Sequence, residues 1–212
     1  MKQKVSDYIA EYIAQWGIRD VFTVTGGGAM HMNDAFGHHK MLHCTYQHHE
    51  QACAMAAEAY ARLGNKMAAV CVTTGPGATN AITGVLGAWM DSIPMLVFSG
   101  QARYATTVSA SGLPLRSMGV QECNIVPVVK SLTKYAHMIV HPENIRYHLE
   151  KALYLAQSGR PGPAWLDIPL NVQGAYVDSD ELIGFDPADY EAGGTGWALA
   201  EGQSQYGIEE DI

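Results

Sequence analysis

One carboxylate in this chain stands where it could handle a proton. Glu50 follows the short apolar run Met41-Leu42-His43-Cys44-Thr45-Tyr46 and opens a stretch, Gln51 to Arg62, filled largely with alanine. The order reads as a strand running into a helix, with Glu50 in the first helical turn. A helix N-terminus favours negative charge, so in water such a carboxylate costs little. Buried against a ligand, the same group becomes a proton-handling residue whose pKa the surroundings can tune. An alanine-rich helix can also pack very close to a neighbour. These residues alone leave both roles open.

Glu50 has company. Four polar or glycine-rich turns follow apolar runs: Thr25-Gly26-Gly27-Gly28, His48-His49-Glu50, Thr73-Thr74-Gly75-Pro76-Gly77 and Ser99-Gly100-Gln101. In an open parallel sheet, ligands bind beyond the carboxyl ends of the strands. Glycine there lets backbone groups approach a planar ligand closely. Any one of these could be a plain strand–helix turn; four together with a carboxylate favour a site. Other chemistries fit poorly. The Gly26-x-Gly28 pair lacks the third glycine of a dinucleotide fingerprint, since His31 stands there, and no GxxxxGK[ST] loop occurs. His49-Glu50-Gln51-Ala52-Cys53 begins like a zinc-protease motif but ends on cysteine. His39 and His43 lack a third ligand, so no metal-binding residue is assigned. Asp167, between Leu166 and Ile168, reads as a structural partner to a helix terminus.

The elements that must hold these turns alternate along the chain. Val5, Tyr8, Ile9, Tyr12, Ile13 and Trp16 form a helical stripe that Gly17 stops. Strands are expected at Val21–Val24, Met41–Tyr46, Met67–Thr73, Met95–Phe98, Lys134–Val140 and Ala164–Ile168. Helices are expected at Ala29–Phe36, Gln51–Leu63, Ala78–Met90, Ile125–Lys130 and Pro142–Ser158. Met67 to Thr73 is apolar throughout, as in strands buried on both faces. The alternation predicts an α/β fold, a doubly wound six-stranded parallel sheet with helices on both faces. Ala102 to Met118 has no period and reads as a loop of the length that is often functional.

Composition bounds the rest. With 212 residues, 48% hydrophobic, the chain can bury a core of its own. Net charge is −8 without any Lys/Arg cluster, which argues against a nucleic-acid or anionic-membrane partner. No run of about 18 apolar residues exists for a membrane span. The four cysteines have no CxxC or zinc spacing, and Cys44, Cys53 and Cys71, in apolar segments, read as small core residues in a reducing compartment. Met1-Lys2-Gln3-Lys4 leads into an amphipathic helix and not a signal sequence, so a cytoplasmic protein is expected.

Taken in order, the motifs resemble those of thiamine-diphosphate enzymes of the acetolactate synthase type, in their N-terminal, pyrimidine-binding domain. They are Gly26-Gly27-Gly28-Ala29, His49-Glu50-Gln51 with Ala57-Glu58-Ala59-Tyr60-Ala61-Arg62, and Thr74-Gly75-Pro76-Gly77-Ala78-Thr79-Asn80. Asp91-Ser92-Ile93-Pro94-Met95, Ser99-Gly100-Gln101, Gln121-Glu122, Val128-Val129-Lys130, Gly159-Arg160-Pro161-Gly162-Pro163 and Asp167-Ile168-Pro169 follow. The resemblance covers about residues 4–177. It implies that Glu50 is the glutamate hydrogen-bonded to N1′ of the cofactor's aminopyrimidine, whose imino tautomer lets the 4′-amino group take the C2 proton. A buried carboxyl there has its pKa raised and can share that proton. Thr74, Gly75, Pro76 and Asn80 would then lie along the pyrimidine, with Gly27 and Gly28 toward the reacting end of the cofactor. Gln121 would face the substrate and Lys130 its entrance.

The departures touch the substrate side. Acetolactate synthases have Pro-Gly-Gly-Ala where this chain has Gly26-Gly27-Gly28-Ala29, and phenylalanine where it has Val120. A following segment one residue shorter brings His31 near the site, as an extra acid/base group or as a helix-face histidine packed under the loop. The implied reaction is decarboxylation of a small 2-oxo acid followed by carboligation. The alternatives are a separate alpha subunit of a 2-oxo acid decarboxylase, or a non-catalytic domain retaining the fold. The Gly-Asp-Gly and Asn-Asn motifs, which hold the diphosphate through Mg2+ in this family, are absent. The partner expected is a second copy or subunit carrying the diphosphate-binding domain, in an assembly at least dimeric. Flavin (FAD) stays open, because members that bind it use mainly a middle domain. Residues 1–177 are read as the pyrimidine-binding domain and 178–212 as a linker toward that middle domain. The chain is then a fragment or one subunit of a split enzyme.

Overall fold

The computed structural model describes residues 1–198. Its elements run β1 (Lys2–Lys4), α1 (Val5–Trp16), β2 (Asp20–Thr23), α2 (Met30–His38), β3 (His43–Tyr46) and α3 (Glu50–Gly64). Then come β4 (Ala68–Val72), α4 (Pro76–Asn80), α5 (Ile82–Asp91), β5 (Met95–Gln101), α6 (Val108–Ser111) and α7 (Ile125–Val129). The last are β6 (Tyr135–Met138), α8 (Ile145–Gln157), β7 (Pro163–Pro169), α9 (Leu170–Gln173), β8 (Tyr176–Asp178) and α10 (Pro187–Glu191).

Six strands form one sheet in the order β3-β2-β4-β5-β7-β6, parallel throughout, as the alternation predicted. The apolar strands feed two cores by the two-residue period of a strand. From β4, Ala69 and Cys71 enter one core with α1, α2 and α8; Ala68, Val70 and Val72 enter the other with α3, α5 and α7. Helices therefore cover both faces. Strand β2 lies between β3 and β4, so the chain leaves β2 in one direction and continues beyond it in the other. The crevice for a ligand opens at such a reversal, beyond the carboxyl ends.

Helix α3 uses its alanines as expected. Cys53, Ala54, Ala57 and Ala61 are its buried face. Gly84 of α5 lies so close that an added Cβ would come 2.6 Å from the Ala54 Cβ and 2.7 Å from the Met55 nitrogen. The Gly17 stop is also present: φ is 109°, and the Ile18 N–H returns to the Ile13 carbonyl at 3.0 Å.

Several local expectations need correction. The helix read as Ala78–Met90 starts at Pro76 and is broken at Ala81 into α4 and α5. Proline suits a first helical position, where its missing N–H costs nothing. The segment from Ala102 holds a 3-10 turn at Tyr104–Thr106 and helix α6. A small antiparallel pair, β1 with β8, was not foreseen; three residues per strand carry too little pattern. The segment after Val177 also contains α10, whose N-cap Asp186 accepts from the Ala188 N–H at 2.9 Å. Residues 199–212 of the expected linker lie outside the described residues.

Residues 185–197 lie on α8 through aromatic side chains. Trp197 stacks on Tyr147 at 3.5 Å between centroids, and Phe185 meets Tyr147 edge-on at 5.8 Å. Beside them His148 is 4% exposed, stacks on His137 at 3.9 Å and has the Tyr135 hydroxyl 2.7 Å from Nδ1. Burial, then the charges of His137 and Lys151, holds the His148 imidazole well below the usual histidine range. Below about pH 6.5 the unfolded chain takes up a proton that the native His148 refuses. Its contribution to stability is thus complete above that pH and is lost as the pH falls, by at most about 1.4 kcal/mol per unit. Thermal melts between pH 7.5 and 5.5 should show this slope, and His148→Phe should flatten it. An unchanged slope in the variant would remove His148 as its source.

Candidate functional site

The turns after β2 and β4 meet over a single threonine. The Gly28 N–H donates to Thr73 Oγ1 at 3.0 Å. An added Cβ at Gly26 would come 2.5 Å from the Thr73 Cβ, and one at Gly77 would come 2.6 Å from its Cγ2. The Gly28 carbonyl in turn accepts from Gln173 Nε2 at 2.7 Å. Gly26 and Gly28 are thus spent on packing the turns together. Gly27 differs: it is exposed, and an added Cβ there would meet nothing within 4 Å.

Glu50 is the first residue of α3, after His49 in extended conformation. It is half-buried in this chain, less enclosed than the sequence reading asks. Its Oε2 accepts from Asn80 Nδ2 at 2.7 Å, and the same amide lies 3.4 Å from His49 Nε2. An added Cβ at Gly77 would sit 3.5 Å from Glu50 Oε1, so α4 packs its small first turn against the carboxylate. Pro76 at the N1 position starts α4 and is exposed beside it.

Thr74 and Gly75 are buried and turn the chain from β4 toward α4. Gly75 has φ 59° and ψ −119°, a conformation that side chains disfavour. An added Cβ there would lie 2.0 Å from the Gln121 carbonyl oxygen. The Thr74 hydroxyl donates to Gln101 Oε1 at 2.8 Å and lies 3.4 Å from that same carbonyl. The structure therefore joins Glu50, Asn80, Pro76, Gly75, Thr74, Gly28 and the Gln121 backbone into one rim at the β2–β4 reversal. The Gln121 side chain is exposed, and its φ is 56°.

Two residues read as substrate-side lie apart from these contacts. His31 of α2 packs its ring against Gly174 at the end of α9, where an added Cβ would come 2.9 Å from Nε2. This is the packed helix-face position, one of the two alternatives for that residue. Lys130 is exposed at the end of α7.

Sequence reasoning missed what holds the rim from below. Asp167 does not serve a helix terminus: it is fully buried and accepts from the Ser99 hydroxyl at 2.6 Å and from Gln101 Nε2 at 3.0 Å. Burial pushes its carboxyl up to about 7, against the pull of those two donors. In the sequence Glu122 stands out only as part of the Gln121-Glu122 motif. Its carboxylate gathers the backbone N–H groups of Val108, Met118 and Gly119 at 2.7, 2.9 and 3.0 Å. Burial pushes its pKa up, but these donors outweigh it and hold the carboxyl below the usual range. The signal available for both was the acidic residue itself amid apolar or small neighbours.

The family model described as "Thiamine pyrophosphate enzyme, N-terminal TPP binding domain" matches residues 3–111. Acetolactate synthase 2, chloroplastic, of Zea mays is 36% identical over 174 residues, 81% of this chain and 26% of that protein. Acetolactate synthase 2, chloroplastic, of Nicotiana tabacum is 34% identical over 181 residues, 84% of this chain and 26% of that protein. The Arabidopsis thaliana acetolactate synthase, chloroplastic, is 34% identical over 174 residues, 81% of this chain and 24% of that protein. The chain spans about a quarter of the length of these relatives.

Proposed function

Since the chain belongs to the thiamine pyrophosphate enzymes, through their N-terminal TPP-binding domain, we propose that it is the pyrimidine-binding half of an acetolactate synthase-like enzyme acting on a small 2-oxo acid. The observation that carries this reading is the Glu50–Asn80 pair set beside the Thr74–Gly75–Pro76 turn at the sheet's reversal. A planar aminopyrimidine suits that rim: Gly27 leaves open space, and the half-buried Glu50 carboxylate could receive a ring nitrogen. Bound thiamine diphosphate would supply the nucleophilic carbon and the electron sink for decarboxylation and carboligation. Glu50 would face ring N1′ and exchange the proton there, Asn80 would fix the orientation of its carboxylate through the 2.7 Å hydrogen bond, and Thr74, Gly75 and Pro76 would flank the ring.

In this reading the diphosphate and its Mg2+ would be held by the diphosphate-binding domain of a second copy or subunit, and activity would need that domain. Two features support such a partner. Glu50 is only half-covered, and Met55, Leu86 and Met90 on α3 and α5 leave apolar surface exposed. Gln121 is proposed to face the substrate and Lys130 its entrance, and the enzyme to act as a carboligase or lyase. Cytoplasmic location belongs to the proposal, supported by four cysteines free of disulfides. Among the described residues, no helix is long and apolar enough to cross a membrane.

The test is to assemble this chain with a diphosphate-binding domain and titrate thiamine diphosphate with and without Mg2+. Magnesium-dependent binding is expected; its absence in a folded assembly overturns the reading. Asn80→Ala should lower kcat about tenfold in that assembly, the scale of one hydrogen bond to a charged group. Its melting temperature should stay within about 2 °C of wild type, because Asn80 is exposed. Unchanged kcat would exclude Asn80 as the residue that orients Glu50.

A further inference from the structure

We propose that Asp167 is a positioning residue for the candidate site: by fixing the Gln101 amide it sets the placement of Thr74, Gly75 and the Gln121 carbonyl. Its bearing on catalysis rests on the reading above; the positioning itself does not.

The argument begins with the two-residue period of strands. Trp165 and Asp167 of β7 lie on one face of the sheet, and Ser99 pairs with Asp167 in the adjacent strand β5. The Trp165 indole N–H donates to Ser99 Oγ at 2.8 Å, and Ser99 donates onward to Asp167 Oδ1. Asp167 Oδ2 accepts from Gln101 Nε2. The other bonds of Gln101 involve backbone groups that cannot exchange roles. Nε2 also donates to the Cys123 carbonyl at 2.8 Å, and Oε1 accepts from the Ala102 N–H at 2.9 Å. Oε1 then receives the Thr74 hydroxyl.

Gln101 therefore has one orientation that satisfies every partner, and in it Asp167 must accept. When the carboxyl takes up a proton, that proton can be accommodated only by turning the Ser99 bond around. The Ser99 hydroxyl then loses its acceptor, because Asp167 Oδ1 now donates to it and its other partner, the Trp165 indole N–H, can only donate. Buried polar networks respond as units to such a reversal. The change is felt at the Gln101 amide, at Thr74, and at the Gln121 carbonyl that lies against Gly75.

The burial that raises this carboxyl to about 7 puts the reversal near neutral pH. Neighbouring elements bring few competing titrations. Helices α4 and α7 carry no titratable side chain, and Asp91 of α5 is exposed and paired with Arg62. The segment before α7 brings Glu122 and the Cys123 thiol, which is raised by burial and then by the Asp167 charge.

The experiment is a pH titration of the 15N-labelled full chain between pH 5 and 9. The resonances followed are the Trp165 indole N–H, the Gln101 side-chain amide and the backbone amides of Gly75 and Gln121. All four are expected to shift with one midpoint near 7, and Asp167→Asn should abolish the shift. Cys123→Ser should leave it in place. In Thr74→Val, Trp165 and Gln101 should still titrate while Gly75 no longer follows; Gln121 keeps a second route through the Cys123 carbonyl that Gln101 holds. The proposal is overturned if the wild-type signals are flat, if the shift survives in Asp167→Asn, or if Gly75 keeps titrating in Thr74→Val. Should Asp167→Asn not fold, the wild-type and Thr74→Val titrations decide. These signals need no cofactor, so their failure leaves thiamine diphosphate binding to its own test, and failure of that binding leaves them standing.

Discussion

Replacing Glu50 by glutamine is expected to lower kcat of the assembled enzyme by about 10²–10⁴-fold, the usual contribution of a positioned acid/base group. Glutamine keeps the length of the side chain, and its carbonyl oxygen can still accept from Asn80. It cannot take up and release a proton, and that is the only function removed. The cost to the fold should be small. Glu50 is half-buried at the first turn of α3, where a negative charge contributes about 0.3–1 kcal/mol to the helix. For a chain of this size that amounts to no more than about 4 °C in melting temperature. Two measurements check it: turnover of a 2-oxo acid by the assembly, and the rate of deuterium exchange at C2 of bound thiamine diphosphate. Activity within a few-fold of wild type would remove Glu50 from the mechanism, whatever the rest of the rim does.

The fold and the site differed in how well the sequence displayed them. Strands β4, β5 and β7 announce themselves because burial on both faces fills most of their positions with apolar residues. Their continuous apolar runs, with helices between, permit few topologies. Glu50 was legible for a related reason, as a carboxylate at the point where a strand pattern gives way to a helix pattern. The wiring beneath the site was not legible. Asp167 meets Ser99 and Gln101 across 68 and 66 residues of chain, and no local period encodes such a meeting. The glycines have a second use that the sequence does not display. The sequence reading takes them as room for a ligand, and in the structure Gly26, Gly28 and Gly77 also make room for Thr73, and Gly75 for the Gln121 carbonyl. A glycine reports that something approaches its backbone, and only the packed structure tells whether a ligand or the protein does so.

Gly100→Ala and Gly27→Ala should separate those two uses of glycine in one experiment. An added Cβ at Gly100 would lie 2.0 Å from the Gly28 carbonyl oxygen, 2.3 Å from its carbon and 2.7 Å from the Ala29 nitrogen. All three are backbone atoms held by neighbours, including the Gln173 amide on that same carbonyl. No rotamer change relieves the clash, so the turn after β2 must move away from the end of β5. Overpacking of this kind costs about 3 kcal/mol, which for a chain of this length lowers the melting temperature by about 6–12 °C. At Gly27 nothing lies within 4 Å, so alanine there should change stability by no more than about 0.5 kcal/mol. If that space belongs to the cofactor, Gly27→Ala should nevertheless weaken thiamine diphosphate binding about tenfold or more, since an added methyl group competes directly with the ligand. Melting curves and cofactor titrations on the two variants give opposite patterns under this reading. A destabilised Gly27→Ala would mean that the open space is filled by the protein itself. A stable Gly100→Ala would mean that the two turns are not in the close contact on which the rim is built.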